Sequence, residues 1–356
     1  MEAYIFLLII VFLLGVLSIP KEKRGYFYVL AFVIFSFIAF RDDSVGPDTY
    51  KYVRYFLQPR LGYEGDSRPF ELFFEFWNVA LRSVWKEGNF FIFINSFVCL
   101  GSIFFVIKKD AERKVPALIA LLCLFNVFNM YLTLFRQCLA VSFFVFAIYQ
   151  YLHDKKKISY IFFILSVLTH TTALVGIILL PLIYKFNFSL KRTNLLLIAS
   201  LLIAFSGILQ LDELLKYIFD LFSGYTYITR YSGYQDQMAE FDSFYFLIKK
   251  LLPLTFITTF LIFNCKSDKV LGNFYVKLAL SYVILNNLMV YSLYTFRILL
   301  YLAVFWGIGI SILLSNQKNI KLSMKVFLFF VFLQFWMIHN DLNNQLDVYS
   351  YNSYLL

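Results

Sequence analysis

Arg136 is the residue whose setting most needs a chemical reason. It stands in Met130-Tyr131-Leu132-Thr133-Leu134-Phe135-Arg136-Gln137, a join between two apolar runs with almost no polar spacing. A cation carried toward the middle of a bilayer costs about 2.5–3.5 kcal/mol on insertion scales. Arg297 is placed similarly, three residues after Tyr294 at the start of another apolar run. A guanidinium never loses its charge, and its planar fork of donors fits phosphate oxygens two at a time. Snorkelling of both side chains to lipid headgroups is the competing reading. His170, within Thr169-His170-Thr171-Thr172, is suited to be a general base or a charged partner for an anion, or else a hydrogen-bonded packing residue. Asp48 follows Gly46-Pro47 and either joins such a site or caps a helix running through Tyr50, Val53, Arg54 and Leu57.

A second group of polar residues is concentrated in one loop. Phe40-Arg41-Asp42-Asp43-Ser44-Val45-Gly46-Pro47-Asp48-Thr49-Tyr50-Lys51-Tyr52 is charge-dense in a chain that is 61% hydrophobic. Water, ions or a polar substrate would meet the chain there. Arg41, Arg54, Arg60, Arg68, Arg82, Arg136, Arg230 and Arg297 all fall outside or at the outer interface when the lysine clusters are taken as cytoplasmic. Lysine suffices to set topology, so the outer arginines need a further reason. The tyrosine-rich stretch Tyr225–Tyr234 fits stacking on sugar rings or an interfacial aromatic belt. Lys249-Lys250 breaks the positive-inside pattern unless a boundary lies elsewhere.

The elements that must position these residues follow from composition. With 45 Phe, 26 Tyr, 15% charged residues and apolar runs matching a hydrocarbon layer ~30 Å thick, the expectation is an all-α polytopic integral membrane protein. The basic clusters place spans near 2–20, 25–40, 88–107, 115–132, 135–152, 193–209, 245–264, 271–290, 294–314 and 324–340. Residues 158–184 read as a short re-entrant-like hairpin meeting near His170, because one long span would put Lys185, Lys191 and Arg192 outside. Each arm, at 1.5 Å per residue, reaches roughly 20 Å. The total is about twelve transmembrane helices with both ends outside. The whole chain, 1–356, reads as one transmembrane domain with extracytoplasmic loops at 41–87 and 210–244. Residues 70–86, apolar but carrying Glu71, Glu75 and Arg82, read as an outer interfacial helix, and Leu211–Phe222 is also amphipathic.

Several function classes drop out. The +10 net charge is spread as short clusters between apolar runs, which is topology signal rather than a nucleic-acid groove. Cys99, Cys123, Cys138 and Cys265 have no metal spacing and imply no disulfide framework. Glu2 and the cluster Lys21-Glu22-Lys23-Arg24 make the first apolar run an uncleaved span rather than a signal peptide. Nucleotide-binding, dinucleotide-binding, metalloprotease and nucleophile-elbow motifs are absent from the sequence. No cofactor or metal is therefore expected, and the energy for outer-face chemistry must arrive with an activated substrate.

With these residues in place, the chain resembles the EpsG family of exopolysaccharide polymerases, a branch of the Wzy-type O-antigen and capsule polymerases. Arg41-Asp42-Asp43-Ser44-Val45-Gly46-Pro47-Asp48-Thr49-Tyr50 resembles that family's first outer loop, with Tyr50 or Tyr52 in the place of its tyrosine. Phe135-Arg136-Gln137-Cys138-Leu139-Ala140 is similar to its Arg-Gln-x-x-Ala span opening, and Leu168–Leu174 resembles its histidine-centred hairpin. Arg230-Tyr231 and Arg297-Ile298-Leu299-Leu300-Tyr301 look familiar but are less specific. The resemblance implies a GT-C-like membrane fold in the bacterial inner membrane, with an active site facing the periplasm or exterior. It implies a glycosyltransferase that moves a growing glycan from undecaprenyl pyrophosphate onto a lipid-linked repeat unit. Arg136, His170 and Asp48 would then be catalytic, and Arg41, Gln137, Arg230, Tyr231, Arg297 and Tyr301 would bind substrate. The partners implied are undecaprenyl-pyrophosphate-linked oligosaccharides and membrane lipid, together with a chain-length regulator and a flippase. A transporter or flippase of the same lipids, or an O-antigen ligase, is the rival reading.

Overall fold

The computed structural model describes residues 2–46, 48–59, 70–207, 244–290, 293–345 and 353. It is helical throughout, with 81% helix and no strand among the described residues. The helices are α1 Glu2–Leu17, α2 Arg24–Ala39, α3 Thr49–Leu57, α4 Leu72–Val84, α5 Gly88–Asp110, α6 Lys114–Cys123, α7 Phe125–Thr133 and α8 Phe135–Leu152. They continue with α9 Lys156–Thr169, α10 Ala173–Lys185, α11 Leu190–Ser206, α12 Phe244–Phe263, α13 Phe274–Leu288, α14 Leu293–Ala303, α15 Trp306–Ser315 and α16 Ile320–Gln345. The outer loop 210–244, with Arg230, Tyr231 and the Tyr225–Tyr234 stretch, lies outside the described residues up to 243.

Among the described residues, three helical stretches are long and apolar enough to cross a membrane: Gly88–Asp110, Phe135–Leu152 and Arg297–Ser315. The expected count of about twelve spans is thus not confirmed. Several of the expected spans come out shorter, among them α1 at 16 residues and α13 at 15. The run expected to cross at 115–132 is broken at Leu124 into α6 and α7, and a second break at Leu134 separates α7 from α8. Interrupted helices in an apolar setting leave carbonyls at each helix end without an intrahelical partner, and in a membrane those groups must be satisfied by protein.

The loop that begins at Arg41 does that work. Helix α7 ends at Thr133, and its Leu132 carbonyl accepts hydrogen bonds from the Arg41 guanidinium (3.0 Å) and the Thr49 hydroxyl (2.8 Å). Arg41 also donates to the Ile38 carbonyl, and its guanidinium carbon lies 5.0 Å from the centre of the Phe135 ring. Gly46, at φ +95°, makes the close approach possible: a Cβ there would meet the Leu132 carbonyl oxygen at 2.6 Å. Only glycine takes that backbone angle without strain. Helix α3 follows, burying Thr49, Tyr52, Val53, Tyr55 and Phe56, an i, i+3, i+4 stripe, and stopping before Pro59.

Helix α4 forms within the stretch 70–86 where a helix is expected. Phe74, Asn78 and Leu81 are buried at i, i+4 and i+7, while Leu72, Phe76, Val79 and Val84 stay exposed. Its entry is fixed by Glu75, which accepts from the Phe70 amide (2.8 Å) and from the Tyr55 hydroxyl of α3. The two arms of the expected hairpin form separate helices. Helices α9 and α10, 14 and 13 residues long, meet at His170–Thr172. Helix α9 packs closely on α8, where Ser166 donates to the Ala140 carbonyl at 2.7 Å. Beneath, α15 inserts between α6 and α13. Gly307 permits this, since a Cβ there would stand 2.5 Å from the Ala117 carbonyl oxygen.

Polar ties hold the lysine-rich end together. Asp110, closing α5, accepts from the Tyr275 hydroxyl at 2.5 Å and pairs with His153 at 3.0 Å. Glu22 accepts from the Lys114 and Val115 amides, at 2.8 and 3.1 Å, and so caps α6 from a distant loop.

Candidate functional site

Three segments far apart in sequence meet around Glu71. Its Oε2 accepts from Nη1 of Arg136 at 2.8 Å, and its Oε1 pairs with Nδ1 of His170 at 2.9 Å. The carboxylate comes from the residue preceding α4, the guanidinium from the first turn of α8, and the imidazole from the turn of the α9–α10 hairpin. His170 is only 2% exposed and Glu71 7%, so the pair sits out of bulk water. The Glu75 anchor described above ties down the chain one residue before Glu71. Aromatic packing completes the support: Phe70 lies against Tyr52, Tyr55 and Phe74, and the Arg136 guanidinium lies over the Phe70 ring at 4.8 Å.

The electrostatics follow from burial and charge. Glu71 and His170 lie outside the helices long enough to cross a bilayer. Burial disfavours the charge on Glu71, but the hydrogen bond with His170 and the Arg136 charge outweigh it and hold the carboxyl at about 2, against an ordinary 4.5. Burial first, then the Arg136 charge, pushes His170 below its ordinary 6.5, although Glu71 pulls the other way. At neutral pH the site therefore holds a carboxylate and a neutral imidazole. Neutral His170 donates Nδ1–H to Glu71, which leaves Nε2 as the basic nitrogen of the ring. A carboxylate orienting an imidazole in this way sets up a general base.

Helix α14 closes a further side. The Gln137 side-chain amide donates to the Arg297 carbonyl at 2.5 Å, tying α8 to α14. The Arg297 charge acts on both His170 and Tyr52, as does that of Arg136. Tyr301, fully buried, shares a 3.2 Å hydrogen bond with Thr172 and packs edge-on to Phe144 at 5.2 Å. It thereby holds the hairpin turn against α14.

The structure brings together Arg136, Gln137, His170, Arg297 and Tyr301 from the residues singled out in the sequence. Asp48 is placed otherwise: it occupies the position before α3 without capping it through its side chain, and it pairs with Lys51 at 3.5 Å. Arg41 is fully buried against backbone carbonyls at the α7–α8 break. Arg230 and Tyr231 lie outside the described residues. Glu71 was missed as a site residue. Its one sequence signal was a carboxylate just after Pro69-Phe70 in an otherwise apolar helix, and Glu75 beside it gives the same signal. Among the described residues, no cluster of three or more His, Cys, Asp or Glu side chains is arranged to hold a metal ion.

The family model described as EpsG family matches residues 25–354. Comparison with curated proteins and with solved structures finds no match for this chain.

Proposed function

The chain belongs to the EpsG family and is a membrane protein of polysaccharide biosynthesis; from that premise we propose that it is a polymerase acting on lipid-linked glycans at the outer face of the bacterial inner membrane. The observation that carries this reading is the Glu71–His170–Arg136 constellation, a base and an anion partner in one buried site. Arg136 stands in the first turn of α8, where the helix dipole already places partial positive charge. A cation there is unfavourable without an anion, and helix starts bear phosphate well.

In the proposed reaction, Nε2 of His170 takes the proton of an acceptor-sugar hydroxyl. The hydroxyl oxygen bonds to the anomeric carbon of the growing glycan. The bond from that carbon to the phosphate oxygen breaks, and undecaprenyl pyrophosphate leaves with the electron pair. Arg136 and Arg297 offset the charge that develops on the leaving oxygen, which is the largest single contribution such a site makes. Asp48, paired with Lys51, is assigned no proton transfer. Gln137 and Tyr301 hold α14 and the hairpin in register, and Arg41 shapes the site through the α7–α8 break.

The test is elongation of purified lipid-linked repeat units in detergent with no added energy source. Longer chains are expected from the wild-type protein and not from Arg136→Ala, with a loss of about 10²–10³-fold, as for removal of one oxyanion partner. In cells the same variant should leave single repeat units. A normal chain-length ladder from a well-expressed Arg136→Ala would refute the assignment.

A further inference from the structure

One carboxylate in this site serves two partners of different use. Glu71 gives one oxygen to Arg136 and the other to His170. The charges of Arg136 and Arg297 act on His170, and those of Arg136, Asp48, Arg297 and Glu71 act on Tyr52 of α3. Arg136 thus brings a guanidinium and the start of α8 to the Glu71 carboxylate. An anion of more charge and more oxygens, such as a pyrophosphate, meets the Arg136 fork in better geometry than a carboxylate oxygen can. The two anions cannot both hold Arg136 at full strength, because like charges this close repel.

We propose that Glu71 is a built-in surrogate for the substrate's pyrophosphate: it occupies the Arg136 guanidinium until the phosphate anion displaces it, and it then serves His170 alone. This rests on the polymerase reading above. Glu71 is here a positioning residue, acting through Arg136 and His170 rather than on the sugar. Its worth to the protein is twofold. It supplies an anion to the part-buried Arg136 while no substrate is bound. It also delays the full alignment of the base until a pyrophosphate is bound, so that the base is complete only when a donor occupies the site. A purely structural ion pair would do the first and not the second.

The two roles give opposite signs in one experiment. Undecaprenyl pyrophosphate binding is measured on the protein in lipid nanodiscs, and elongation of lipid-linked repeat units is measured in parallel. In Glu71→Gln the amide still accepts from Nδ1–H of His170, but it neither competes with pyrophosphate nor repels it. Binding is expected to tighten about tenfold while kcat falls about tenfold or more. Glu71→Asp keeps the charge on a shorter arm and reads the same effect in smaller measure, should the Gln variant not fold. Its binding should lie between those of wild type and Gln, with kcat reduced. Binding that weakens or stays equal in the folded variants overturns the surrogate role. A wild-type protein that elongates chains while Glu71→Gln binds no tighter leaves the polymerase reading standing and removes this one. A wild-type protein that neither binds undecaprenyl pyrophosphate nor elongates chains removes both.

Discussion

His170 sits where two influences oppose each other: the Glu71 carboxylate favours a proton on the ring, while burial and the arginines disfavour it. With the folded value below the ordinary 6.5, the unfolded chain takes up a proton first as pH falls. The ring's contribution to stability is therefore complete above about 6.5 and lost on acidification, with a limiting slope of about 1.4 kcal/mol per pH unit. Glu71 adds a loss of the same sign at lower pH, fully present above 4.5 and gone as pH falls toward about 2. Thermal unfolding of the purified protein between pH 7.5 and 5.5 is the measurement. The wild type should lose ground to His170→Gln as pH drops, and a gain relative to that variant would mean that the carboxylate wins. Arg136 and His170 were legible in the sequence because a charge or an imidazole stands out in an apolar run. Glu71 was not, since a carboxylate on an amphipathic surface helix is already accounted for by water. Arg41 shows the opposite limit: an arginine that binds backbone carbonyls and one that binds phosphate are written with the same letter.

The breaks between α6, α7 and α8 are the elements that make the site, because they deliver Arg136 at a helix start instead of in mid-span. Leucines occupy both breaks, Leu124 and Leu134, so neither proline nor glycine announced them, and the sequence pattern ran straight through the first. What holds the second break is tertiary: Arg41 and Thr49 take the Leu132 carbonyl, and Gly46 lets the loop come near enough. Gly46→Ala should accordingly be costly, by about 1–3 kcal/mol of backbone strain with the clash against Leu132 in addition. Gly101, within α5, has nothing within 4 Å of an added Cβ, and Gly101→Ala there is expected to be neutral or to stabilise by about 0.5–1 kcal/mol. Melting temperatures of the two variants in detergent separate the cases. Equal effects would show that the loop does not brace the α7–α8 join.

At the scale of the whole molecule the hairpin decides which side of the membrane each segment meets. Helices α9 and α10 have 14 and 13 residues, about 20 Å each at 1.5 Å per residue, against a hydrocarbon core of ~30 Å. Two such arms return the chain to the side it left, whereas a single crossing of 158–184 would send α11 in with the opposite orientation. Cysteine labelling with a reagent that cannot cross the membrane distinguishes the two. Cys99, Cys138 and Cys265 are buried, and a Cys123→Ser background removes the fourth thiol. Lys86, Lys157 and Lys191 are all exposed, just before α5, at the start of α9 and at the start of α11. Lys86→Cys should label from outside, and Lys157→Cys and Lys191→Cys should both stay protected until the cells are opened. If Lys191→Cys labels from outside while Lys157→Cys does not, the hairpin crosses the membrane. Helix α14 would then run with the opposite orientation, which the hydrogen bond from Gln137 of α8 to the Arg297 carbonyl of α14 opposes.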